Sequence, residues 1–97
     1  MSWLRRVIWV LGFALFHFGV ETLAILGART PAIGLCKYSL RIFPRNRATL
    51  LSQLGSVHER FNEVEVAIEY YGEAAKLRPN DGSIDVELGL AYERTGR

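Results

Sequence analysis

The chain has 97 residues, with 12 Lys and Arg against 10 Asp and Glu, 49% hydrophobic residues and one cysteine. That length holds one small domain, and a single cysteine excludes an intrachain disulfide. The net charge of +2 conceals a division: residues 1–47 carry seven Lys or Arg and one acid, residues 48–97 five and nine. A basic part beside an apolar run meets anionic lipid headgroups rather than nucleic acid, for which no motif is present.

Residues 1–28 form the first segment. Within residues 7–26, VIWVLGFALFHFGVETLAIL, only His17, Glu21 and Thr22 are clearly polar. As a helix this run covers about 30 Å, the thickness of a hydrocarbon core, and it is read as a single transmembrane helix. Trp3 and Trp9 suit an interfacial aromatic belt, and Arg5 and Arg6 can reach headgroups. A cleaved signal peptide is the rival reading, against which stand the bulk of Leu26 and the length of the apolar run.

An ionised group at the bilayer centre costs roughly 2.5–3.5 kcal/mol, so His17 and Glu21 are expected to face protein. Ala14, His17, Glu21, Ala24 and Ala28 share one face, while Gly12, Phe16, Gly19 and Leu23 form a second strip of small and large residues. Together Gly12, Ala14, His17, Gly19, Glu21, Ala24 and Ala28 are the expected packing positions against other membrane helices. His17 and Glu21 read first as a structural hydrogen-bonding pair. Alternatives are a proton relay, or His17 as a pigment or haem ligand with no second ligand visible in the sequence.

Residues 29–47 form a basic juxtamembrane segment. Thr30-Pro31 predicts a helix start, with Thr30 accepting free N–H groups and Pro31 in the first position, and Pro44 predicts the stop. Leu35 stands where a bacterial lipoprotein acceptor needs a small residue, so Cys36 reads as a packed thiol, with juxtamembrane acylation as the alternative. Ile33, Leu35, Leu40, Ile42 and Phe43 also allow a helix along the membrane surface, with Lys37 and Arg41 at headgroup level. Arg29, Lys37, Arg41, Arg45 and Arg47 beyond the span outweigh Arg5 and Arg6 before it. This places the following part on the cytoplasmic side, with an exported position as the alternative.

Residues 48–81 carry two helical periods. Leu50, Leu51, Leu54, Val57, His58 and Phe61 make the first; Val64, Ala67, Ile68, Tyr71, Ala74, Ala75 and Leu77 make the second. Asn62 between them tolerates the left-handed conformation that reverses a chain, and Pro79 ends the second helix. The order of Leu51, Leu54, Gly55, His58, Ala67, Tyr71, Ala74 and Pro79 resembles a tetratricopeptide repeat, with His58 in place of the usual Tyr. The resemblance implies two antiparallel helices interlocked through small residues, stacked with other units into a right-handed α-solenoid.

The pattern echoes on both sides. Residues 32–44 align with 67–79, Ala32 matching Ala67, Cys36 matching Tyr71 and Pro44 matching Pro79. Gly27 precedes Ala32 by the five residues that separate Asn62 from Ala67. The last turns of the membrane segment and residues 31–43 are therefore read as a degenerate repeat. Residues 82–97 open another: Asp81 is an expected N-cap, and Leu88, Gly89, Tyr92 and Gly96 repeat the spacing of Leu54, Gly55, His58 and Asn62. One complete unit is fewer than the roughly three that make an array stable, so partners or further chain are expected to cover the last helix.

The fold expected is all-α: one transmembrane helix followed by tetratricopeptide-type helix pairs. The resemblance implies a partner held on the face of the first helices, here Thr49, Ser52, Ser56, Glu59, Arg60, Ser83, Val86, Leu90, Glu93 and Arg94. Ser52 and Ser56 stand where carboxylate-clamping members carry Lys or Asn, which disfavours that ligand class. No metal-ligand spacing, phosphate loop or activated nucleophile is present, so neither catalysis nor a bound cofactor is expected. The expected role is a structural or assembly subunit of a membrane complex, with integral membrane subunits as partners. The alternatives are a tethered adaptor for a soluble peptide and a cofactor-holding subunit using His17.

Overall fold

The computed structural model describes residues 2–96, and every regular element among them is helical. These are α1 (Ser2–Ile25), α2 (Arg29–Ile42), a 3-10 turn (Pro44–Asn46), α3 (Arg47–Arg60), α4 (Val64–Leu77) and α5 (Gly82–Arg94). Met1 and Arg97, the outer ends of the first and last predicted segments, lie outside the described residues.

Among the described residues three are left-handed: Gly27 at φ 82° between α1 and α2, Asn62 at φ 64° between α3 and α4, and Gly96 at φ 78° after α5. They are 35 and 34 residues apart. Only glycine, and less often asparagine, adopts this conformation without a Cβ penalty. The first two close their helices in the same way, Ala28 N donating to Leu23 O at 2.8 Å and Glu63 N to His58 O at 2.9 Å. Each bond satisfies a carbonyl that the helix end would otherwise leave unpaired.

Each helix packs against the next in sequence, and α1 also reaches α3. Val20 and Ala24 of α1, Ala32, Ile33 and Cys36 of α2, and Leu54 and Val57 of α3 form one apolar cluster. Ala67, Ile68 and Tyr71 meet Ala91 of α5 in a second, and Leu51 and Ala74 meet Ile84 in a third. Leu50, Leu54 and Val57 are at most 1% exposed, each worth roughly 1.5–3 kcal/mol of burial. The tightest crossing is α3 on α4. A Cβ added to Gly55 would lie 2.8 Å from the Tyr71 ring and 3.1 Å from Ala67 O.

Helix α2 starts at Arg29, ahead of the Thr30-Pro31 start read from the sequence. Its N-cap is Ala28, which makes no side-chain capping bond. Pro31 is nonetheless tolerated, because N–H groups of a first turn have no intrahelical acceptor for the proline to forfeit. The other expected cap is present: Asp81 Oδ1 accepts from Ser83 N at 3.0 Å, opening α5. Helix α1 is long and apolar enough to cross a membrane. Within it only Val20 and Ala24 are fully buried.

Candidate functional site

Both strips anticipated on α1 are occupied by the chain itself. On the strip of Gly12, Phe16, Gly19 and Leu23, α2 is the neighbour: a Cβ on Gly19 would lie 3.3 Å from Leu35, and one on Gly12 3.6 Å from Phe43. The Phe43 ring meets Trp9, Phe13 and Phe16 with centroids 5.2, 5.8 and 5.4 Å away. The other strip meets α3. Gln53 Nε2 donates to His17 O at 2.9 Å and to Glu21 Oε1 at 3.2 Å. Ala24 is buried, Ala28 is half-buried in the turn, and Ala14 is exposed.

Gln53 therefore ties three helices together. It is 4% exposed, and its Oε1 accepts from the Cys36 thiol of α2 at 3.8 Å, while that thiol also lies 3.4 Å from Leu50 O. Burial, helped by the negative charge of Glu21, pushes the Cys36 thiol up to about 12. A thiol so held is protonated and unreactive at neutral pH. Sequence reasoning passed over Gln53, a polar residue between Ser52 and Leu54.

Between α1, α3 and α5 lies a polar groove of about 360 Å³. His17 and Glu21 line it from α1, Thr49, Ser52, Gln53 and Ser56 from α3, and Arg78, Asp81, Ser83, Ile84 and Glu87 from the α4–α5 turn and α5. Ser52 Oγ donates to Glu87 Oε2 at 2.6 Å across it. Three carboxylates against one guanidinium favour a cationic or donor-rich guest over an anion. The Nδ1 atom of His17 is buried without a hydrogen-bond partner, its ring beside Phe13.

Of the face anticipated for a partner, Thr49, Ser52, Ser56 and Ser83 line this groove. Glu59 and Arg94 lie beyond it, paired at 2.8 Å, with Glu59 also accepting from Tyr71 Oη at 2.8 Å. Burial first, and then that bond, hold the Tyr71 phenol well above its ordinary range. Arg60, Glu93, Val86 and Leu90 are exposed and are not among the groove's lining residues. Ile84, Leu88 and Ala91 take the inward positions on α5, and Glu87 turns into the groove beside Ile84.

The residues that carry the repeat resemblance concentrate at the α3–α4 crossing. Leu51, Leu54, Gly55, His58, Ala67, Tyr71 and Ala74 are all buried there. Pro79, Gly89 and Tyr92 are exposed. His58 stacks on Tyr70, with centroids 5.4 Å apart and planes 13° from parallel, and its Nδ1 lies 3.2 Å from Glu63 Oε1. Arg29 grips the same carboxylate through two bonds of 2.8 and 2.6 Å, joining α2 to the start of α4.

A third face of α1 is left free. Leu4, Ile8, Leu11, Leu15, Phe18 and Ile25 run along it at alternating four- and three-residue steps with one place taken by Thr22, and Leu15 and Phe18 are 73% and 71% exposed. Trp3, Val7, Val10 and Leu26 widen this surface. Arg5, Arg6, Lys37 and Arg41, the anticipated headgroup residues, are all exposed. Contiguous apolar surface of this extent marks a contact with protein or membrane. No family model matches this chain, and no curated protein matches it.

Proposed function

We propose that this chain is a membrane-attached helical-repeat protein of tetratricopeptide type. It acts without catalysis as a structural or assembly subunit of a membrane complex. The observation that supports this reading is the double use of α1. One side is packed into the helical array through Val20, Ala24 and the Gln53 bonds, and the other presents an apolar surface broken only by Thr22. The left-handed residues at intervals of 35 and 34 are consistent with repeat units of that family, α1 and α2 forming one pair, α3 and α4 the next, and α5 opening another.

The groove favours a second reading, an adaptor that holds a soluble peptide. Its half-buried hydroxyls and its excess of Glu21, Asp81 and Glu87 over Arg78 suit a segment bearing Lys or Arg. Purification of the full chain from its native membranes in a mild non-ionic detergent separates the two. Stoichiometric integral companions are expected for the assembly role. A monomer that binds a Lys-containing peptide, with binding lost in Glu87→Lys, supports the adaptor, and a chain that never enters the membrane fraction refutes both.

A further inference from the structure

We propose that α1 does not cross the bilayer but lies along an anionic membrane surface, its free face sunk in one leaflet. The inference rests on the reading of the chain as membrane-attached, and specifies how the attachment is made.

Geometry argues against a crossing. Helix α2 runs back along α1 from Leu35 beside Gly19 to Phe43 beside Gly12 and Trp9. Only residues 2–8 of α1 project beyond that cover, about 10 Å of helix against the roughly 30 Å of a hydrocarbon core. Spanning with the fold intact would drag α2 into the lipid, and with it the exposed charges of Lys37 and Arg41. Spanning with α2 detached would break the cluster of Val20, Ala24, Ala32, Ile33, Cys36, Leu54 and Val57.

The same helix is well made for lying flat. At 3.6 residues per turn, Leu4, Ile8, Leu11, Leu15, Phe18 and Ile25 fall within an arc of roughly 100°, while Arg5 and Arg6 stand roughly 110° and 150° from its centre. Arg5 stands on the side where α2 packs and Arg6 on the side of Ala24 and His17 that meets α3, both turned away from the stripe, so a helix resting on its apolar stripe lifts both guanidinium groups to headgroup level. With Arg29 paired to Glu63, this half of the chain still holds Arg5, Arg6, Lys37, Arg41, Arg45 and Arg47 and only one acid of its own, Glu21. That balance complements an anionic leaflet. A second copy fits less well. Pairing along the stripe covers a narrow seam and leaves Trp3, Val10 and Leu26, which are 63%, 65% and 74% exposed, in water.

The test counts labels on single molecules. The full chain, carrying Ser2→Cys and Asn80→Cys with Cys36→Ala, is reconstituted by detergent removal into phosphatidylcholine–phosphatidylglycerol vesicles and treated outside with a membrane-impermeant maleimide. Both reporter positions are exposed. Surface seating keeps both on one side, so mass spectrometry finds molecules with two labels or none. A parallel sample retaining Cys36, whose buried thiol is silent to the reagent, guards against a folding defect from the alanine. A dominant singly labelled species shows a crossing and overturns the inference while leaving membrane attachment intact. Failure to float with the vesicles, whether as monomer or as a water-soluble dimer, overturns the attachment and the inference together. Replacing phosphatidylglycerol by phosphatidylcholine is expected to weaken vesicle binding about fivefold for each engaged Lys or Arg, and unchanged binding refutes the anionic partner.

Discussion

A methyl group placed on Gly55 would lie 2.8 Å from two ring carbons of Tyr71 and 3.1 Å from the carbonyl oxygen of Ala67. Neither neighbour has room to retreat. Tyr71 is 1% exposed and its hydroxyl is held by Glu59 at 2.8 Å, while the Ala67 oxygen belongs to the α4 backbone. With both neighbours fixed, overpacking falls in the upper part of its usual range, roughly 2–3 kcal/mol, and the better helix propensity of alanine returns about 0.8–1.0 kcal/mol. Gly55→Ala should therefore lose about 1–2 kcal/mol net. Gly72, within α4 of the same hairpin, has nothing within 4 Å of an added Cβ, so Gly72→Ala should gain about 0.5–1 kcal/mol. Urea unfolding of the full chain in non-ionic detergent, followed by far-ultraviolet circular dichroism, reads both. At about 1 kcal/mol per molar urea, the midpoints should move down by about 1–2 M and up by about 0.5–1 M. A Gly55→Ala midpoint at or above that of the unaltered chain would refute the close crossing of α3 and α4.

Three further outcomes follow from the same packing. Asn62→Ala places a Cβ penalty on a residue at φ 64° and should cost about 1–2 kcal/mol in the same urea assay, whereas Asn62→Gly should cost nothing. Glu63 is held below its ordinary value of 4.5 by Arg29 first and His58 second. The folded state thus binds fewer protons than the unfolded one, and the resulting stability is present above about pH 4.5 and lost as pH falls through the lowered folded value. Glu63→Gln should flatten this acid-side decline in a pH series of urea midpoints, and superimposable curves would dismiss the ion pair. Cys36, with its thiol near 12, should resist maleimide at pH 8 in the folded chain and react on unfolding in urea. Rapid labelling without urea would show that α2 opens.

The turns were legible because their chemistry is local. Gly27, Asn62 and Gly96 are residue types that accept positive φ, and their even spacing is visible without coordinates. The α3–α4 hairpin was legible for the same reason, since small Gly55, Ala67 and Ala74 opposite large Tyr71 mark where two backbones approach. The neighbours of α1 were not. Periodicity identifies a face rich in glycine or alanine, and it says nothing of whether α2, α3 or another chain fills it. Gln53 was hidden for a related reason: it is buried by the meeting of three helices, an event without a signature in the ten residues around it. The free stripe from Leu4 to Ile25 lay unnoticed inside a run apolar on nearly every side, and became distinct only once the other two faces were spoken for.

The bond network around Gln53 has a practical corollary. A shortened polypeptide begun after Gly27, of the kind engineered to shed greasy residues before crystallisation, would strip the roof from Ala32, Cys36, Leu54 and Val57 and leave a buried amide facing solvent. The oily leader is a wall of the building and no removable handle, so trimming it should yield aggregates where a tidy soluble head was sought.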